Sequence, residues 1–275
     1  MNNSYQFFHL ETFADKPRKG TKRPSAEAVA RECQRVEKSF PHISNMNPAE
    51  LLHGIEPLEA LNKVRELVKQ SKDPLGRKIR SDAQIVTFGV ASIKVKSTPE
   101  NWELPEVKRW LEDTKKFLKN RFGESFMSLI KHTDEEFCHI HFCITSKKNH
   151  SNQLDLTTIH PGLVAQRAIK SGSKKAKDFA YKEAMRQLQD EYFEQVGLAN
   201  GQLRYGPRRR RLSRQEWHAQ KRYAQLITGI FHERDSLIKE LGSKLEKAKI
   251  ILAKVFPSFD NGSNMKNTNC QEKSL

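Results

Sequence analysis

The amino-acid sequence predicts an α+β fold: an antiparallel β-sheet flanked by helices, followed by a long C-terminal helix. Short runs of β-branched and aromatic residues alternate loosely with segments of helical periodicity. Two of these runs are joined by only a short polar turn, which predicts a β-hairpin. Alternating strands and helices with a hairpin among the strands favour an antiparallel sheet, and 275 residues suffice for one sizeable core.

Strand and helix signals can be placed along most of the chain. The predicted strands are residues 5–13, 85–95, 126–132 and 138–146. The predicted helices are residues 26–36 with Ser25 as N-cap, 49–70 with an interruption near Gly54 and Pro57, 105–122 capped by Gly123, 174–196, and 213–255. In the last helix, six apolar residues recur at the spacing of a coiled-coil seam: Ile238, Leu241, Leu245, Ala248, Leu252 and Val255.

Composition divides the chain into four parts. Residues 1–150 are expected to form the core that carries the chemistry, and residues 151–212 a basic helical extension that completes the domain. Residues 213–256 are expected to form the long helix, through which two copies can associate as a homodimer. Residues 257–275 are polar and are expected to be a disordered tail.

The net charge of +16 indicates a polyanionic partner, most often nucleic acid. Two basic clusters lie in loops with Gly or Pro, where long side chains can follow a phosphate backbone. The predicted DNA contacts are Lys16, Arg18, Lys19, Lys22, Arg23, Arg208, Arg209, Arg210, Arg211 and Arg214. Tyr205 and Trp217 flank the second cluster, and either core packing or base stacking would explain them.

Cysteine usage and the N-terminal sequence predict a cytoplasmic protein. The four cysteines form no CxxC pair, so neither a disulfide framework nor a zinc finger is indicated. The N-terminus lacks the basic and apolar regions of a signal peptide. No apolar run approaches the roughly 18–20 residues of a membrane span.

The most informative segment is HTDEEFCHIHF, which begins at His132. His139 and His141 are two apart in a predicted strand, so both side chains point to one face of the sheet. The short turn brings His132 back beside His139, and three imidazoles then face one point. Three protein nitrogens with open coordination positions are typical of a catalytic metal site. Asp134 and Glu135 in the turn are both candidates for an oxygen ligand or for orienting an imidazole.

A metal in such a site, next to a basic surface, is suited to polarising a scissile phosphate. The sequence therefore predicts a metal-dependent nuclease that nicks one DNA strand. The nitrogen-rich donor set favours a late divalent ion, with Mn²⁺ expected first and Zn²⁺ or Mg²⁺ as alternatives. Cys143 is the next residue on the same strand face and is expected to be a small buried hydrophobe beside the site.

The pattern H-x-D-E-x-x-x-H-x-H resembles the metal motif of plasmid mobilisation relaxases of the Mob/Pre type, the plasmid recombination enzymes of the HUH endonuclease superfamily. The segments TPENW and RFGESFMSLI precede the motif in the family's order. The resemblance implies that Glu135 joins His132, His139 and His141 around the metal. It also implies a site-specific nick at a plasmid transfer origin, in single-stranded or hairpin DNA, with the protein left on the 5′ phosphate.

The chain departs from the family pattern at two places. Cys138 stands where the family usually has Pro before the HxH pair, a local change next to a turn. Related relaxases attack DNA with a Tyr or a His near the N-terminus, and the predicted helix 26–36 contains neither. The remaining candidates are Tyr5, His9, His42 and His53. His42 ranks first as the catalytic nucleophile because a loop residue can reach a metal-bound phosphate more readily.

Two rival functions stay open at this point. A rolling-circle replication initiator would use the same metal chemistry, although the basic C-terminal helices and the absence of a GxxxxGK[ST] motif favour mobilisation. A catalytically silent DNA-binding protein for recombination or regulation would explain the lack of an obvious nucleophile. A covalent-adduct assay separates the silent protein from the two enzymes.

Overall fold

The predicted antiparallel sheet is present, and a strand that was not predicted extends it. In the described part of the chain the strands are β1 (Phe7–Ala14), β2 (Glu50–Gly54), β3 (Gln84–Lys96), β4 (Phe126–His132) and β5 (Phe137–Thr145). Their order across the sheet is β1-β3-β5-β4-β2, and each neighbouring pair is antiparallel. The predicted hairpin is β4–β5, and its second strand occupies the centre of the sheet.

The structure is a computed structural model that describes residues 4–21, 23–37, 39, 46–73, 75–146, 154, 159–206 and 214–255. The helices in these ranges are α1 (Ala26–Cys33), α2 (Pro57–Lys69), α3 (Pro99–Trp102), α4 (Pro105–Phe122), α5 (Pro161–Ala168), α6 (Lys174–Tyr192) and α7 (Arg214–Val255). A 3₁₀ turn, Gly123–Ser125, follows α4, and a π-helical turn, Phe193–Gly197, follows α6.

Strand β5 separates two environments, because alternate residues of a strand point to opposite faces. On the face covered by α4 and α6, called here the back face, its residues are buried in the larger core: Cys138, Ile140, Phe142 and Ile144. On the opposite or front face lie His139, His141 and Cys143. Cys143 packs into a smaller core with residues of α1 and α2, as expected for a small hydrophobe beside the site.

Aromatic packing fixes the helices on the back face. Tyr192 of α6 is fully buried, and its ring stacks on Phe8 of β1 at a centroid distance of 4.4 Å. Its hydroxyl oxygen lies 3.3 Å from Nε1 of Trp110 and 3.0 Å from Oγ1 of Thr114, both on α4. The polar atom of Tyr192 is therefore satisfied inside an apolar core.

The helices of the structure differ from the predicted ones at several places. The helix predicted for residues 49–70 is wrong at its start, because Glu50–Gly54 forms β2 and pairs with β4, and α2 begins at Pro57. Sheet pairing overrides the weak local helix preference of this segment. Helix α1 ends at Cys33 rather than at residue 36, since Arg35 has a φ of 55° that no helix accommodates. Helix α5 was not predicted because its N-cap, His160, is outside the usual capping residues.

The chain divides into two units, residues 1–228 and 229–275. The residues of the predicted coiled-coil seam lie in the second unit, and their apolar side chains are exposed: Ile238, Leu241, Leu245, Leu252 and Val255. Among the helices in the described ranges, none combines the length and the apolar composition that crossing a membrane requires. The tail predicted to be disordered, residues 257–275, lies outside the described residues.

Candidate metal centre

Four side chains of the β4–β5 hairpin and its turn meet on the front face. His132 and His139 are directly opposite each other in the ladder, and His141 lies two residues further along β5. The centroids of the three rings are 4.5 to 5.2 Å apart. Glu135 from the turn joins them, and one ligand atom from each of the four residues lies within 4.8 Å of the others. The structure thus brings together the four predicted metal ligands.

Backbone carbonyls fix the orientation of two of these imidazoles. Nε2 of His132 lies 2.6 Å from the carbonyl oxygen of Cys33, and Nδ1 of His139 lies 2.9 Å from the carbonyl oxygen of Phe137. Because a carbonyl can only accept a hydrogen bond, each of these nitrogens must donate one. In the neutral rings, Nδ1 of His132 and Nε2 of His139 then carry lone pairs, and these two nitrogens are 3.2 Å apart.

Cys33, the last residue of α1, holds two of the three imidazoles. Its carbonyl accepts the hydrogen bond from His132, and its Sγ lies 3.6 Å from Nδ1 of His141. This contact leaves Nε2 as the nitrogen of His141 that is available to an ion. Helix α1 buries the small residues Ala26 and Ala30 together with Cys33, which allows the helix to approach the sheet closely.

Glu135 adds a negative charge at the same point, and Arg35 holds it there. Oε1 of Glu135 lies 3.3 Å from Nε2 of His139 and 2.7 Å from Nη2 of Arg35. Arg35 also donates to Asp134 through Nε at 2.9 Å and Nη2 at 2.8 Å. The side chains of Arg35 and Asp134 are only 1% and 0% exposed. This buried ion pair fixes the turn that carries Glu135.

Burial favours the metal-binding protonation states of the site. Desolvation lowers the pKa of His132 to about 4, although its hydrogen bond to Cys33 opposes the shift. Desolvation also lowers the pKa of His141 well below its ordinary value. The neighbouring imidazole of His139 and the guanidinium of Arg35 hold the pKa of Glu135 well below its usual range. At neutral pH the site therefore offers a carboxylate and neutral imidazoles at His132 and His141, the forms that bind a cation.

The donor set fits a divalent metal ion. Nδ1 of His132 and Nε2 of His139 lie 3.2 Å apart, and each ring uses its other nitrogen to donate to a backbone carbonyl. Facing lone pairs repel, and the carboxylate of Glu135 adds a third acceptor. A cation bound by both nitrogens at about 2.0–2.1 Å each replaces this repulsion with attraction.

The basic residues predicted to contact DNA are described only in part. Those on the loop between β1 and α1 are exposed: Lys16, Arg18, Lys19 and Arg23. Others lie outside the described residues: Lys22, Arg208, Arg209, Arg210 and Arg211. Arg214 begins α7, and its side chain is likewise outside the description. Their contact with DNA stays a prediction.

The candidate nucleophiles occupy different places. His42 lies outside the described residues. His53 stacks on Phe126 at a centroid distance of 4.8 Å, and Phe126 belongs to the core of the back face. His9 is on the front face in the same cross-sheet row as His141, two strand spacings or about 10 Å away. Neither His9 nor His53 is therefore adjacent to the candidate metal ligands, and Tyr5 lies before β1, where it forms a β-bridge with Leu203.

Two contributors to the site, Cys33 and Arg35, were not predicted. Both belong to or follow α1, about 100 residues before the hairpin they contact, and no local pattern carries that pairing. One signal was available for Arg35. Asp134 and Glu135 are adjacent acidic residues in a turn beside the site. A carboxylate is buried only when a cation pairs with it, so a Lys or Arg from another part of the chain could have been expected here.

Fold and site together define a protein with a candidate metal centre on the front face of an antiparallel sheet. The family model described as plasmid recombination enzyme, Mob_Pre, matches residues 55–225, which is more than half of the chain. The chain belongs to the plasmid recombination enzyme family. The matched region contains the four candidate metal ligands but begins after α1. No curated protein sequence matches the chain.

Several solved structures are similar to the chain at low sequence identity. The MobM relaxase domain (MOBV; Mob_Pre) bound to plasmid pMV158 oriT DNA, in a Mn-bound crystal structure, is 15% identical with a TM-score of 0.44. That match covers 70% of this chain and 86% of the MobM chain. A structure on the molecular basis of vancomycin resistance transfer in Staphylococcus aureus is 13% identical with a TM-score of 0.33, covering 70% of this chain and 94% of the other.

Proposed function

We propose that this chain is a metal-dependent relaxase that nicks one strand of plasmid DNA at a transfer origin and so initiates mobilisation or recombination. One observation carries the proposal. In a member of the plasmid recombination enzyme family, three imidazoles and a carboxylate converge within 4.8 Å of one another on one face of the central hairpin. The MobM relaxase domains with similar folds are bound to oriT DNA, and several are Mn-bound.

The residues of the centre have separate roles in this proposal. His132, His139 and His141 supply nitrogen ligands, and the nitrogen-rich set favours Mn²⁺, with Zn²⁺ and Mg²⁺ as alternatives. When bound, the ion acts as a Lewis acid on the phosphate of the strand to be cut. Glu135 supplies an anionic oxygen, and Arg35 holds this carboxylate in place through an ion pair of 2.7 Å.

We assign the role of nucleophile to His42, because the sequence places it in a loop from which it can reach a metal-bound phosphate. A neutral imidazole nitrogen of His42 attacks the phosphorus, a P–N bond forms and the bond from phosphorus to the 3′ oxygen breaks. The 3′ oxygen leaves and takes up a proton, and the protein stays on the 5′ phosphate. Such a transesterification conserves the energy of the phosphodiester, so that a free 3′ end can later reseal the strand.

The remaining parts of the proposal concern partners. The exposed loop with Lys16, Arg18, Lys19 and Arg23, and the basic stretch Arg208–Arg211 with Arg214, are proposed to bind DNA phosphates. The exposed apolar seam of α7 is proposed to pair with a second copy of the chain. Because the substrate is plasmid DNA, the proposed place of action is the cytoplasm.

The test incubates the full chain with Mn²⁺ and a labelled strand of its own plasmid's transfer origin, followed by a denaturing gel. The expected result is a protein–DNA adduct that is absent with His42→Ala and with His139→Ala. Peptide mass spectrometry of the adduct names the attacked residue. A nick without an adduct would contradict transesterification and mean that water attacks.

A silent DNA-binding protein is the second candidate function. It is favoured by one observation: of the candidate nucleophiles that the structure describes, His9 and His53 are not adjacent to the metal ligands. Tight and specific binding of transfer-origin DNA, with neither nick nor adduct in Mn²⁺, would support this function and refute the enzyme.

A further inference from the structure

Among the residues that the structure describes, α1 and α2 cover the front face of the sheet at one end. Strand β1 alternates strictly, with Phe8, Leu10 and Thr12 buried on the back face. Its front-face residues Phe7 and His9 are partly or fully exposed. Helices α1 and α2 cover the front face over Val86, Phe88 and Cys143, at the other end of the neighbouring strands. Phe7 lies on the part of the front face beyond these two helices.

An aromatic pocket of about 210 Å³ occupies this part of the front face. Its lining residues come from three strands and the N-terminal segment: Tyr5, Phe7, Ser92, Lys94 and Phe137. The volume is below the roughly 300–1,000 Å³ of a site for a drug-sized ligand. A space of this size with aromatic walls suits one flat ring rather than a whole nucleotide.

The pocket and the metal centre share one row of the sheet. Phe7 is paired with Ser92, and Ser92 is paired with His139. Two strand spacings of about 4.8 Å place Phe7 about 10 Å from His139 along this row. Phe137 connects the two sites directly, since its ring lines the pocket and its carbonyl oxygen accepts the hydrogen bond that orients His139.

Tyr5 is held in place although much of it is exposed to solvent. Residues 4 to 6 pair with Leu203 through two backbone hydrogen bonds of 2.7 and 2.8 Å, one from Leu203 to Ser4 and one from Gln6 to Leu203. Gly206 lies against the ring, so close that a Cβ there would be 3.0 Å from it. The side chain of Tyr5 nevertheless remains 47% exposed. A fixed and exposed aromatic ring is a ready stacking surface, because its conformational entropy is already lost.

Charge favours a nucleic acid as the ligand. Lys94 is exposed at the pocket, the chain carries a net charge of +16, and aromatic rings beside a cation are the usual platform for unpaired bases. The distance of about 10 Å from Phe7, at the far side of the pocket, to His139 is about three nucleotide steps at the 3.4 Å rise of B-form DNA, and fewer in an extended strand.

We propose that the pocket of Tyr5, Phe7 and Phe137 binds one unstacked base of the single DNA strand that runs across the metal centre, with Lys94 on the adjoining phosphate. This inference rests on the proposed function, because it takes the DNA strand as ligand. It assigns the aromatic residues of the first strand to substrate binding.

The experiment measures binding without cleavage. The full chain is titrated in EDTA into a fluorescent oligo-dT strand and, separately, into a duplex of equal length, with anisotropy as the readout. Stacking contributes about 1–3 kcal/mol per base, so Tyr5→Ala is expected to weaken single-strand binding about 5- to 150-fold and to leave duplex binding unchanged. Tyr5→Phe is expected to keep most of the affinity. Phe179→Ala is the matched control, an aromatic residue on α6 that is 66% exposed.

A second measurement needs no variant. An oligonucleotide with 2-aminopurine at successive positions is bound to the wild-type chain, and stacking on an aromatic ring is expected to quench one position most strongly. Uniform fluorescence along the strand would overturn the proposal, as would equal losses of single-strand and duplex binding in Tyr5→Ala. Neither assay measures nicking. A chain that shows the stacking signal but does not nick DNA would therefore contradict the proposed function and leave the base-binding pocket supported.

Discussion

His132 and His160 are alike in burial and in their lowered pKa, and they differ in what surrounds them. Both are 1% exposed, and burial lowers the pKa of each to about 4. Nδ1 of His160 accepts a hydrogen bond from the backbone nitrogen of Leu163 at 3.4 Å, and its Nε2 lies 3.4 Å from the hydroxyl of Tyr181. Both nitrogens of His160 are therefore used by the protein.

His132, in contrast, uses only one nitrogen for the fold. Its Nε2 donates to the carbonyl of Cys33, and its Nδ1 points at a second lone pair on His139. Burial and a lowered pKa alone thus do not distinguish a ligand from a helix cap. What distinguishes them is the second nitrogen: Nδ1 of His132 faces an imidazole nitrogen of His139, whereas both nitrogens of His160 face a backbone amide or a hydroxyl.

The largest expected effect separates the two histidines by metal affinity. His139→Ala removes a ligand nitrogen and is expected to abolish Mn²⁺ binding measurable by calorimetry. His160→Asn, which keeps a helix-capping side chain, is expected to bind Mn²⁺ as tightly as the wild type. Undiminished Mn²⁺ binding in His139→Ala would contradict the prediction, because it would show that His139, like His160, is not a metal ligand.

The second effect concerns Asp134 and Glu135, the two carboxylates beside His132 that pair with Arg35. Arg35→Ala leaves Asp134 buried without its counter-charge and is expected to lower the free energy of unfolding by about 3–5 kcal/mol. Arg65→Ala is the control, since Arg65 pairs with Asp15 and Glu27 near the surface and is expected to cost about 1 kcal/mol or less. Urea unfolding measures the free energy of unfolding of both variants. Similar losses in the two would show that burial of the Arg35 ion pair does not increase its contribution to stability.

The third effect uses pH and addresses His160. Because its pKa in the fold is about 4, below the usual 6.5, the unfolded chain binds the proton first as pH falls. Stability linked to His160 is therefore complete above pH 6.5 and declines as pH falls to 4. His160→Asn is expected to reduce this decline by about 3 kcal/mol in urea titrations at several pH values. If the stability of His160→Asn declined as steeply as that of the wild type, the pKa of His160 would be the same in the folded and unfolded states.

The smallest expected effect concerns Cys33, whose sulfur contacts Nδ1 of His141 and so orients this imidazole. Cys33→Ala removes the sulfur beside Nδ1 of His141 and is expected to weaken Mn²⁺ binding about tenfold. Cys33→Ser keeps a polar atom at this position and is expected to restore most of the affinity. Cys138→Ala, also buried but on the back face, is the control. A loss in Cys138→Ala as large as in Cys33→Ala would indicate a general packing effect.

The parts of the molecule that the sequence could predict are those with a local signal. The strand period and the i, i+2 spacing place His139 and His141 on one face, and the short turn brings His132 beside them. The helix cap at Gly123 is likewise confirmed, with a φ of 53°. Strand β2 was missed because its pairing with β4 is a long-range interaction that outweighs helix preference in Ala49–Leu52. For the same reason, no local pattern showed that α1 would bring Cys33 and Arg35 to the hairpin.

Arg35 illustrates how two unrelated demands can fall on one position. Its backbone has the left-handed conformation, with a φ of 55°, that turns the chain away from α1, and its guanidinium neutralises two carboxylates. Glycine would meet the first demand and not the second, whereas lysine would bring the charge without the planar fork and would keep the backbone strain. Few substitutions satisfy both, so an evolutionary or engineered change of this turn needs a coordinated change at Asp134 as well.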